Sequence, residues 1–198
     1  MLYPVNLVVK GQHCLVVGGG EVAARKVRSL LTCGANVTVA APQLHPHLLE
    51  DVRKKRIRWT RHTFRSTDLK RQFLVIAATD THALNTKISA AARRYRILVN
   101  AVDQPKDCTF TVPSVVRRGS LAIAISTNGA SPALSKQIRR QLSKQYGPEF
   151  GRFLKRMAEV RKDALKEISS PAHRKRYFEK MVTNFFNKHA TYKAQRAR

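Results

Sequence analysis

The sequence has few of the residues that build extracellular frameworks or membrane spans. Its 198 residues include only three cysteines, Cys14, Cys33 and Cys108, and their number and spacing fit neither a disulfide framework nor a zinc knuckle. No apolar run is long enough for a transmembrane helix. Residues 1–10 also lack the basic segment and the cleavage site of a signal peptide. We therefore predict a cytoplasmic protein that does not associate with membranes.

Acidic residues are also scarce. The chain has 12 Asp and Glu residues against 38 Lys and Arg residues, which gives a formal net charge of +26. Such an excess indicates an anionic partner: a nucleic acid, a membrane surface or a polyanionic small molecule. A general adaptation for solubility is the alternative interpretation. The hydrophobic fraction of 43% nevertheless indicates a folded chain with its own core.

Strand and helix patterns alternate through the first half of the chain. Strands are predicted at residues 13–17, 36–40, 57–60, 73–78 and 97–101, with helices at 22–33, 46–55 and 81–95 between them. This alternation predicts an α/β fold with a doubly wound parallel sheet of the Rossmann type. We assign this domain to residues 1–113.

After Pro113 the pattern becomes mainly helical. A strand is predicted at 121–125, and a helix is predicted to begin at Pro132 with Ser131 as its N-cap. Beyond Gly147 two helices follow, forming a small helical domain at 148–198. Their apolar stripes, which we interpret as packing surfaces, consist of Phe150, Phe153, Leu154, Met157, Ala164, Leu165 and Ile168 in the first and Tyr177, Phe178, Met181, Val182, Phe185 and Phe186 in the second.

A glycine-rich motif stands between the first strand and the first helix. Residues 18–23 read Gly18-Gly19-Gly20-Glu21-Val22-Ala23 and fit the pattern G-x-G-x-x-A. In dinucleotide-binding folds the first glycine permits a tight turn, and the second lets a pyrophosphate approach the backbone. The helix N-terminus that follows attracts phosphate. The motif predicts a dinucleotide site, and a glycine turn without a ligand is the less favoured alternative.

The end of the second strand departs from the usual dinucleotide fingerprint. That end reads Ala40-Ala41-Pro42-Gln43, without the acid that normally holds the ribose 2′-hydroxyl and without an arginine for a 2′-phosphate. The fingerprint alone therefore leaves NAD and NADP open. Backbone groups near Pro42 and Gln43 are the candidates for holding the ribose.

Two more strands end in polar residues. The fourth ends in Thr79-Asp80 and the fifth in Val102-Asp103, at the carboxyl ends of strands where open α/β sheets bind their ligands. Asp103 is a candidate proton acceptor beside a bound cofactor. For Asp80 a turn or helix cap is the favoured interpretation. Cys108 is interpreted as a packing residue because no histidine lies near it in sequence.

The loop that precedes Pro132 carries the polar side chains of Ser126, Thr127, Asn128 and Ser131. Together with the helix N-terminus these groups are candidates for receiving an anion. A simple capped connection is an equally supported alternative. The seven histidines of the chain show no metal-ligand spacing, and we predict no metal site.

Taken together, these motifs resemble the precorrin-2 dehydrogenase family, also called the siroheme synthase N-terminal-domain family, some of whose members are also sirohydrochlorin ferrochelatases. The matching residues are Tyr3-Pro4, residues 18–23 with Arg25-Lys26, residues 77–80 with Asn85, residues 100–105 with Cys108, Phe110 and Pro113, and residues 125–134 with Ile138-Arg139. They occur in order from residue 3 to about residue 140. The last fifty residues match only in being helical and basic.

The resemblance implies a cofactor, a reaction and an assembly. It implies an NAD-binding Rossmann domain, a central dimerisation region at 114–147, a helical C-terminal domain and a homodimer. The implied reaction oxidises precorrin-2 to sirohydrochlorin with NAD, and Fe²⁺ is a further substrate in members that are also ferrochelatases. Asp103 matches the catalytic aspartate. Glu21, Val22, Pro42 and Gln43 match the family's NAD-contacting positions, and the predicted cofactor site also includes Gly18, Gly19 and Gly20 of the glycine motif and Thr79.

The resemblance also offers a reason for the positive charge, because precorrin-2 is a polycarboxylate tetrapyrrole. Arginine binds carboxylates through paired hydrogen bonds, so we predict substrate contacts at Arg117 and Arg118 and at Ser126, Thr127, Asn128 and Ser131. The alternative function is an NAD-sensing or nucleic-acid-binding regulator with a Rossmann domain. The absence of a basic–aromatic RNA signature, a helix-turn-helix or a finger motif disfavours nucleic acid as the partner.

Overall fold

The structure is a computed structural model that describes the backbone of residues 2–196 and the side chains of residues 2–189. Residues 197–198, the end of the predicted helical domain, lie outside the described residues. The chain forms two compact units, Met1–Val112 and Pro113–Arg198. The further division of the second unit into segments 114–147 and 148–198 stays a prediction.

The first unit is a Rossmann-type α/β domain, as the sequence predicts. Its five strands are β1 (His13–Val17), β2 (Asn36–Ala40), β3 (Ile57–Thr60), β4 (Leu74–Ala77) and β5 (Leu98–Ala101). All are parallel, in the order β3-β2-β1-β4-β5. The helices are α1 (Glu21–Thr32), α2 (Pro46–Arg53) and α3 (His82–Arg94). The strand order reverses between β1 and β4, so the cleft that binds ligands in such folds opens beside the end of β1.

Two cores lie on opposite faces of this sheet because successive side chains of a strand alternate in direction. In β1, Cys14 and Val16 join the core that includes buried residues of α1, while Leu15 and Val17 join the core that includes residues of α3. Helix α1 ends where Gly34 adopts a left-handed backbone with φ +78°. The amide of Ala35 then donates to Leu30 O at 3.1 Å, as in a Schellman cap. Both faces of the sheet are therefore covered.

The second unit consists of an antiparallel hairpin and three helices. The strands are β6 (Ser114–Arg118) and β7 (Leu121–Ile125), and the helices are α4 (Pro132–Gln145), α5 (Pro148–Glu167) and α6 (Pro171–Arg196). Ser131 caps α4 as predicted, accepting from the Leu134 amide at 3.1 Å. No strand was predicted at β6.

A close backbone contact joins the hairpin to α5. A Cβ atom added to Gly151 would lie 3.0 Å from the Arg118 carbonyl, and one added to Gly119 would lie 3.3 Å from the Gly151 Cα. Gly119 also has a left-handed backbone with φ +58°. The two glycines therefore let the helix approach the hairpin turn so closely that an added side chain would force the neighbouring backbone to shift.

Aromatic rings join α5 to α6. Phe150 is buried and meets Phe185 edge to face at 5.0 Å, while Phe153 stacks on Phe185 at 4.0 Å. The two predicted packing stripes are only partly right, because Leu165 and Phe186 are exposed at 56% and 49%. Within the described residues, no helix is long and apolar enough to cross a membrane.

Candidate functional site

The glycine loop lies at the point where the strand order reverses, between the end of β1 and the start of α1. The Gly18 amide donates to Ala40 O at 3.0 Å, and Gly19 O accepts from the His45 amide at 2.7 Å. These bonds tie the loop to the end of β2 and to the start of α2. The loop is thus fixed at the carboxyl edge of the sheet, as the motif predicts.

The three glycines of the loop have different roles. A Cβ atom on Gly18 would lie 2.2 Å from Ala78 O, and one on Gly19 would lie 1.9 Å from Gln43 O. Gly18 also has a φ of +118°. A side chain at Gly18 would therefore collide with the backbone after β4 and disrupt the fold. At Gly20, by contrast, nothing lies within 4 Å of an added Cβ.

The geometry around Gly20 fits a bound pyrophosphate. Gly20 is the N-cap of α1, and no side chain caps the helix there. The first amide groups of α1, beginning at Glu21 and Val22, therefore have no capping side chain, and the helix dipole adds a partial positive charge. Backbone amides and open space at one point are the features that a dinucleotide phosphate requires.

The end of β2 supplies backbone groups and no acid. Pro42 and Gln43 are exposed directly after it. The preceding carbonyl, Ala41 O, accepts from the Trp59 indole N–H at 2.8 Å. The Arg61 guanidinium lies over the Trp59 ring, 5.6 Å from its centroid. This aromatic–basic pair beside the predicted ribose position was not found from the sequence, because it joins Trp59 of β3, and Arg61 directly after β3, to the end of β2.

Thr79 is held in place by a buried asparagine. Its amide and its hydroxyl donate to Asn85 Oδ1 at 3.2 and 2.8 Å, and Asn85 Nδ2 donates to Thr79 O at 3.1 Å. Asn85 is only 2% exposed. The Thr79 side chain thus fixes the end of β4 beside the glycine loop. The N-cap of α3 is Thr81 rather than Asp80.

Asp103 stands exposed on a tight turn at the end of β5. The Gln104 amide donates to Ala101 O at 3.4 Å, and the Val102 amide donates to Ala77 O at 2.9 Å. Asp103 itself has a left-handed backbone with φ +58°, which Asp, Asn and Gly adopt more readily than other residues. Its carboxylate is therefore presented at the same edge of the sheet as the glycine loop.

The thiols of Cys108 and Cys14 are placed as structural groups. The Cys108 thiol lies 3.2 Å from Ala101 O and accepts from the Ala101 amide at 3.3 Å, which supports its interpretation as a packing residue. Burial raises the pKa of the Cys14 thiol to about 11, so this group is not a reactive thiolate.

Lys26 is a residue of α1 to which sequence reasoning gave no role. Burial, and then the neighbouring Arg25, lower the pKa of Lys26, while the charges of Cys108 and Asp103 act in the opposite direction. The ammonium group is thus within electrostatic reach of the Asp103 carboxylate. In the sequence, Lys26 is marked only by belonging to the Arg25-Lys26 pair among the residues that carry the family resemblance.

We expect Lys26→Met to raise the melting temperature at neutral pH by a few degrees. A lowered pKa means that the folded state disfavours the ammonium, so Lys26 reduces the free energy of unfolding wherever it is protonated in both states. The wild-type protein should recover this stability as the pH rises from the lowered folded pKa towards 10.5. The variant should lack that alkaline rise in thermal unfolding curves. Lys87→Met, at an exposed lysine of α3, is the matched control, and an equal gain there would contradict the assignment.

The predicted substrate loop of the second unit is an internally bonded turn. Thr127 Oγ1 donates to Ser131 O at 3.1 Å and accepts from the Ser131 amide at 3.1 Å. Ser126 Oγ accepts from the Asn128 amide at 3.2 Å. Ser126 and Asn128 are exposed, while Thr127 and Ser131 are half-buried. The hydroxyls therefore shape the loop, and the role of these four residues in substrate binding stays a prediction.

The two arginines at the end of β6 differ from each other. Arg118 Nη2 donates to Ser143 O at 2.9 Å, so this side chain joins the hairpin to the last turn of α4. Arg117 is exposed. The predicted substrate contacts of both arginines stay a prediction. Among the described residues, no group of three or more His, Cys, Asp or Glu side chains is placed to hold a metal ion.

Comparisons with known proteins agree with this geometry. A family model described as "Putative NAD(P)-binding" matches residues 5–114, and a model of the sirohaem biosynthesis protein central region matches residues 118–145. The siroheme synthase of Nitrosospira multiformis is 42% identical over 187 residues, which cover 92% of this chain and 40% of that protein. The siroheme synthase of Methylobacillus flagellatus is 40% identical over 175 residues, covering 88% of this chain and 37% of that protein. This chain thus spans about two fifths of the length of these relatives.

Among solved structures, the precorrin-2 dehydrogenase SirC is similar along nearly its whole length. It superposes with a TM-score of 0.77 at 31% identity, covering 91% of this chain and 89% of that chain. The sheet order, the glycine loop and these matches agree with one another. The chain therefore belongs to the precorrin-2 dehydrogenase family, in the form that also makes up part of siroheme synthases.

Proposed function

We propose that this protein oxidises precorrin-2 to sirohydrochlorin with NAD as the hydride acceptor. The observation that carries the proposal is an exposed carboxylate, Asp103, at the same edge of the sheet as the open amide groups at Gly20. The similarity to a solved precorrin-2 dehydrogenase is the basis for proposing precorrin-2 as the substrate. The absence of an acid after β2 is compatible with NAD if backbone groups at Pro42 and Gln43 hold the ribose.

The chemistry divides between the cofactor and the chain. Bound NAD would supply the hydride acceptor for a hydrogen and its electron pair leaving a ring carbon of the substrate. A second hydrogen must leave as a proton, and Asp103 is the group proposed to accept it. The amides at the start of α1 would hold the pyrophosphate of bound NAD, and the bonds around Gly18 and Thr79 fix the backbone on either side of that position.

Anaerobic mixing of the protein with precorrin-2 and NAD tests the proposal. We expect absorbance of NADH to grow in proportion to the sirohydrochlorin formed. Binding of NAD without turnover of precorrin-2 would instead favour a regulator that senses the nucleotide.

Ferrochelation belongs to the proposal as a second activity at the same site. The resemblance includes members that insert iron into sirohydrochlorin, and Fe²⁺ is then a substrate. A steady-state assay with sirohydrochlorin and Fe²⁺ or Co²⁺ measures it. If Asp103→Asn loses oxidation but keeps metal insertion, the two activities do not share this carboxylate.

We also propose that the protein is a cytoplasmic homodimer. Residues 119–135 carry no charged side chain, and Ala122 and Ala124 of β7 are exposed. In a chain of net charge +26, an uncharged surface is where two copies approach with the least repulsion. Light scattering at micromolar concentration measures the state, and a monomer would contradict the proposal.

The charge of the protein leads to a prediction about salt. We expect kcat/KM for precorrin-2 to fall by about tenfold or more between about 0.01 M and 1 M salt, because the screening length falls from about 30 Å to about 3 Å. The affinity for NAD should fall less. Arg117 of β6 and Lys136 in the first turns of α4 are exposed basic residues on either side of the predicted substrate loop, so the double variant Arg117→Gln and Lys136→Gln should flatten the salt dependence.

The matched control for the salt prediction removes two exposed charges from the first unit, through Lys70→Gln and Lys87→Gln. Arg118 is left in place because it holds Ser143 O. An equal effect of the control pair would mean that net charge, and not a local surface, attracts the substrate. Tight and salt-sensitive binding to nucleic acid under the same conditions would favour the regulatory alternative.

A further inference from the structure

A network of hydrogen bonds holds the segment after Asp103 against α3. Asp107 Oδ2 accepts from Thr86 Oγ1 at 2.8 Å and from Gln104 Nε2 at 2.9 Å. Gln104 Nε2 also lies 2.9 Å from Thr86 Oγ1. We call these three side chains, Thr86, Gln104 and Asp107, the Asp107 clamp. The clamp joins two residues of the segment to one residue of the helix.

Further bonds hold the backbone of the same segment. Arg93 Nη2 of α3 donates to Cys108 O at 3.1 Å and to Lys106 O at 3.3 Å. Ser89 Oγ donates to Asp107 O. Pro105–Asp107 forms a single 3-10 turn, which the clamp and these bonds fix at both of its ends. The segment therefore has little freedom to move relative to α3.

The turn that carries Asp103 is under conformational strain. A left-handed backbone costs a residue other than glycine about 1–2 kcal/mol, somewhat less for Asp. Such a conformation persists only when its surroundings over-determine it. Gln104 closes the turn through its amide and belongs to the Asp107 clamp through its side chain. The clamp is thus bonded to the residue adjacent to Asp103.

We propose that Asp107 is a positioning residue that holds the Asp103 carboxylate in its reactive orientation through Gln104, an inference that rests on the proposed function. Without Asp107, the Gln104 side-chain amide and the Thr86 hydroxyl lose their shared acceptor, and Gln104 is held only by its weaker bond to His82 O at 3.3 Å and its contact with Thr86 Oγ1. The turn can then relax from its left-handed conformation. A displacement of about 1 Å at a reacting group is enough to lower turnover by about a hundredfold.

The first test compares Asp107→Ala with Asp107→Asn. We expect Asp107→Ala to lower kcat by about 10- to 100-fold, with KM for precorrin-2 and the affinity for NAD nearly unchanged. Asp107→Asn should recover most of the turnover, because the amide oxygen still accepts one hydrogen bond. Amide hydrogen exchange of residues 101–108 should be faster in the alanine variant only. Equal kcat in all three proteins would overturn the proposal.

A matched control separates positioning from general loss of stability. Asp68 is likewise a hydrogen-bonded aspartate of a 3-10 turn, in the connection between β3 and β4, and its carboxylate accepts from the Arg65 amide at 2.8 Å. Asp68→Ala should lower stability by a comparable amount without a change in kcat. A loss of kcat equal to that of Asp107→Ala would contradict a specific role for Asp107.

A double-mutant cycle with Asp103 distinguishes this proposal from the proposed function. If Asp107 acts through Asp103, Asp107→Ala should have no further effect on the residual turnover of Asp103→Asn. If the two substitutions instead lower kcat by independent factors that multiply, the positioning role of Asp107 is overturned, while the role of Asp103 as proton acceptor stands. Full turnover of Asp103→Asn would overturn the role of Asp103 as the proton acceptor, and with it this inference, while the proposed function would stand. No turnover of precorrin-2 by the unaltered protein would overturn the proposed function itself.

Discussion

Asp103→Asn should lower kcat for precorrin-2 oxidation by about 10²–10⁴-fold, the usual contribution of a general base. Asparagine tolerates the left-handed backbone at this position, where φ is +58°, so the substitution removes the charge and keeps the turn. The affinity for NAD should stay the same, because the pyrophosphate is proposed to bind at the glycine loop and not at the turn that carries Asp103. Single-turnover absorbance of NADH under anaerobic conditions measures the effect.

Asp103→Ala is the less informative variant of this carboxylate. It removes the charge and also places an unfavourable residue in a left-handed conformation, so it combines chemistry with strain. A near-normal kcat in Asp103→Asn would mean that another group accepts the proton.

Gly20→Val should weaken NAD binding by at least about tenfold while the protein remains folded. The backbone of Gly20 is extended, with φ −82° and ψ −171°, and an added Cβ meets no atom within 4 Å. Valine is therefore compatible with the fold, but it fills the space in which the phosphates must lie. Calorimetric titration with NAD measures the loss, and thermal unfolding checks the fold.

A graded series provides the control for the Gly20 prediction. Gly20→Ala should have a smaller effect than Gly20→Val, because its side chain occupies less of the open space. Gly18→Ala should instead reduce stability, because its Cβ would lie 2.2 Å from Ala78 O. If Gly20→Val bound NAD as tightly as the wild type, the cofactor would not lie at this loop.

Local patterns were sufficient to predict the first unit. All five strands of the sheet and the three helices occur within a few residues of their predicted positions, because alternation and the glycine loop are short-range signals. The strand β6 was missed since its sequence, Ser-Val-Val-Arg-Arg, has no alternating pattern. The signal that could have revealed it is the Gly119-Ser120 pair, a two-residue hairpin turn between β6 and the predicted strand β7.

The candidate site was predictable where it depends on residues adjacent in sequence. The glycine loop and Asp103 follow strands directly, so the sequence located both at one edge of the sheet. The Asp107 clamp joins residues separated by 21 positions, and no local pattern indicates such a contact. Arg118 likewise bonds to Ser143, 25 residues away, and no local pattern indicates this internal bond.

The contact between Gly119 and Gly151 limits how the second unit can be stabilised. Replacing a glycine inside a helix with alanine usually gains about 1 kcal/mol from helix propensity alone. At Gly151 the new methyl group would lie 3.0 Å from the Arg118 carbonyl, so either the hairpin or α5 would have to shift. The gain in propensity is therefore opposed by a steric cost. Substitutions meant to raise the heat resistance of the protein should therefore be placed at other positions of α5, and both Gly119 and Gly151 should remain glycine.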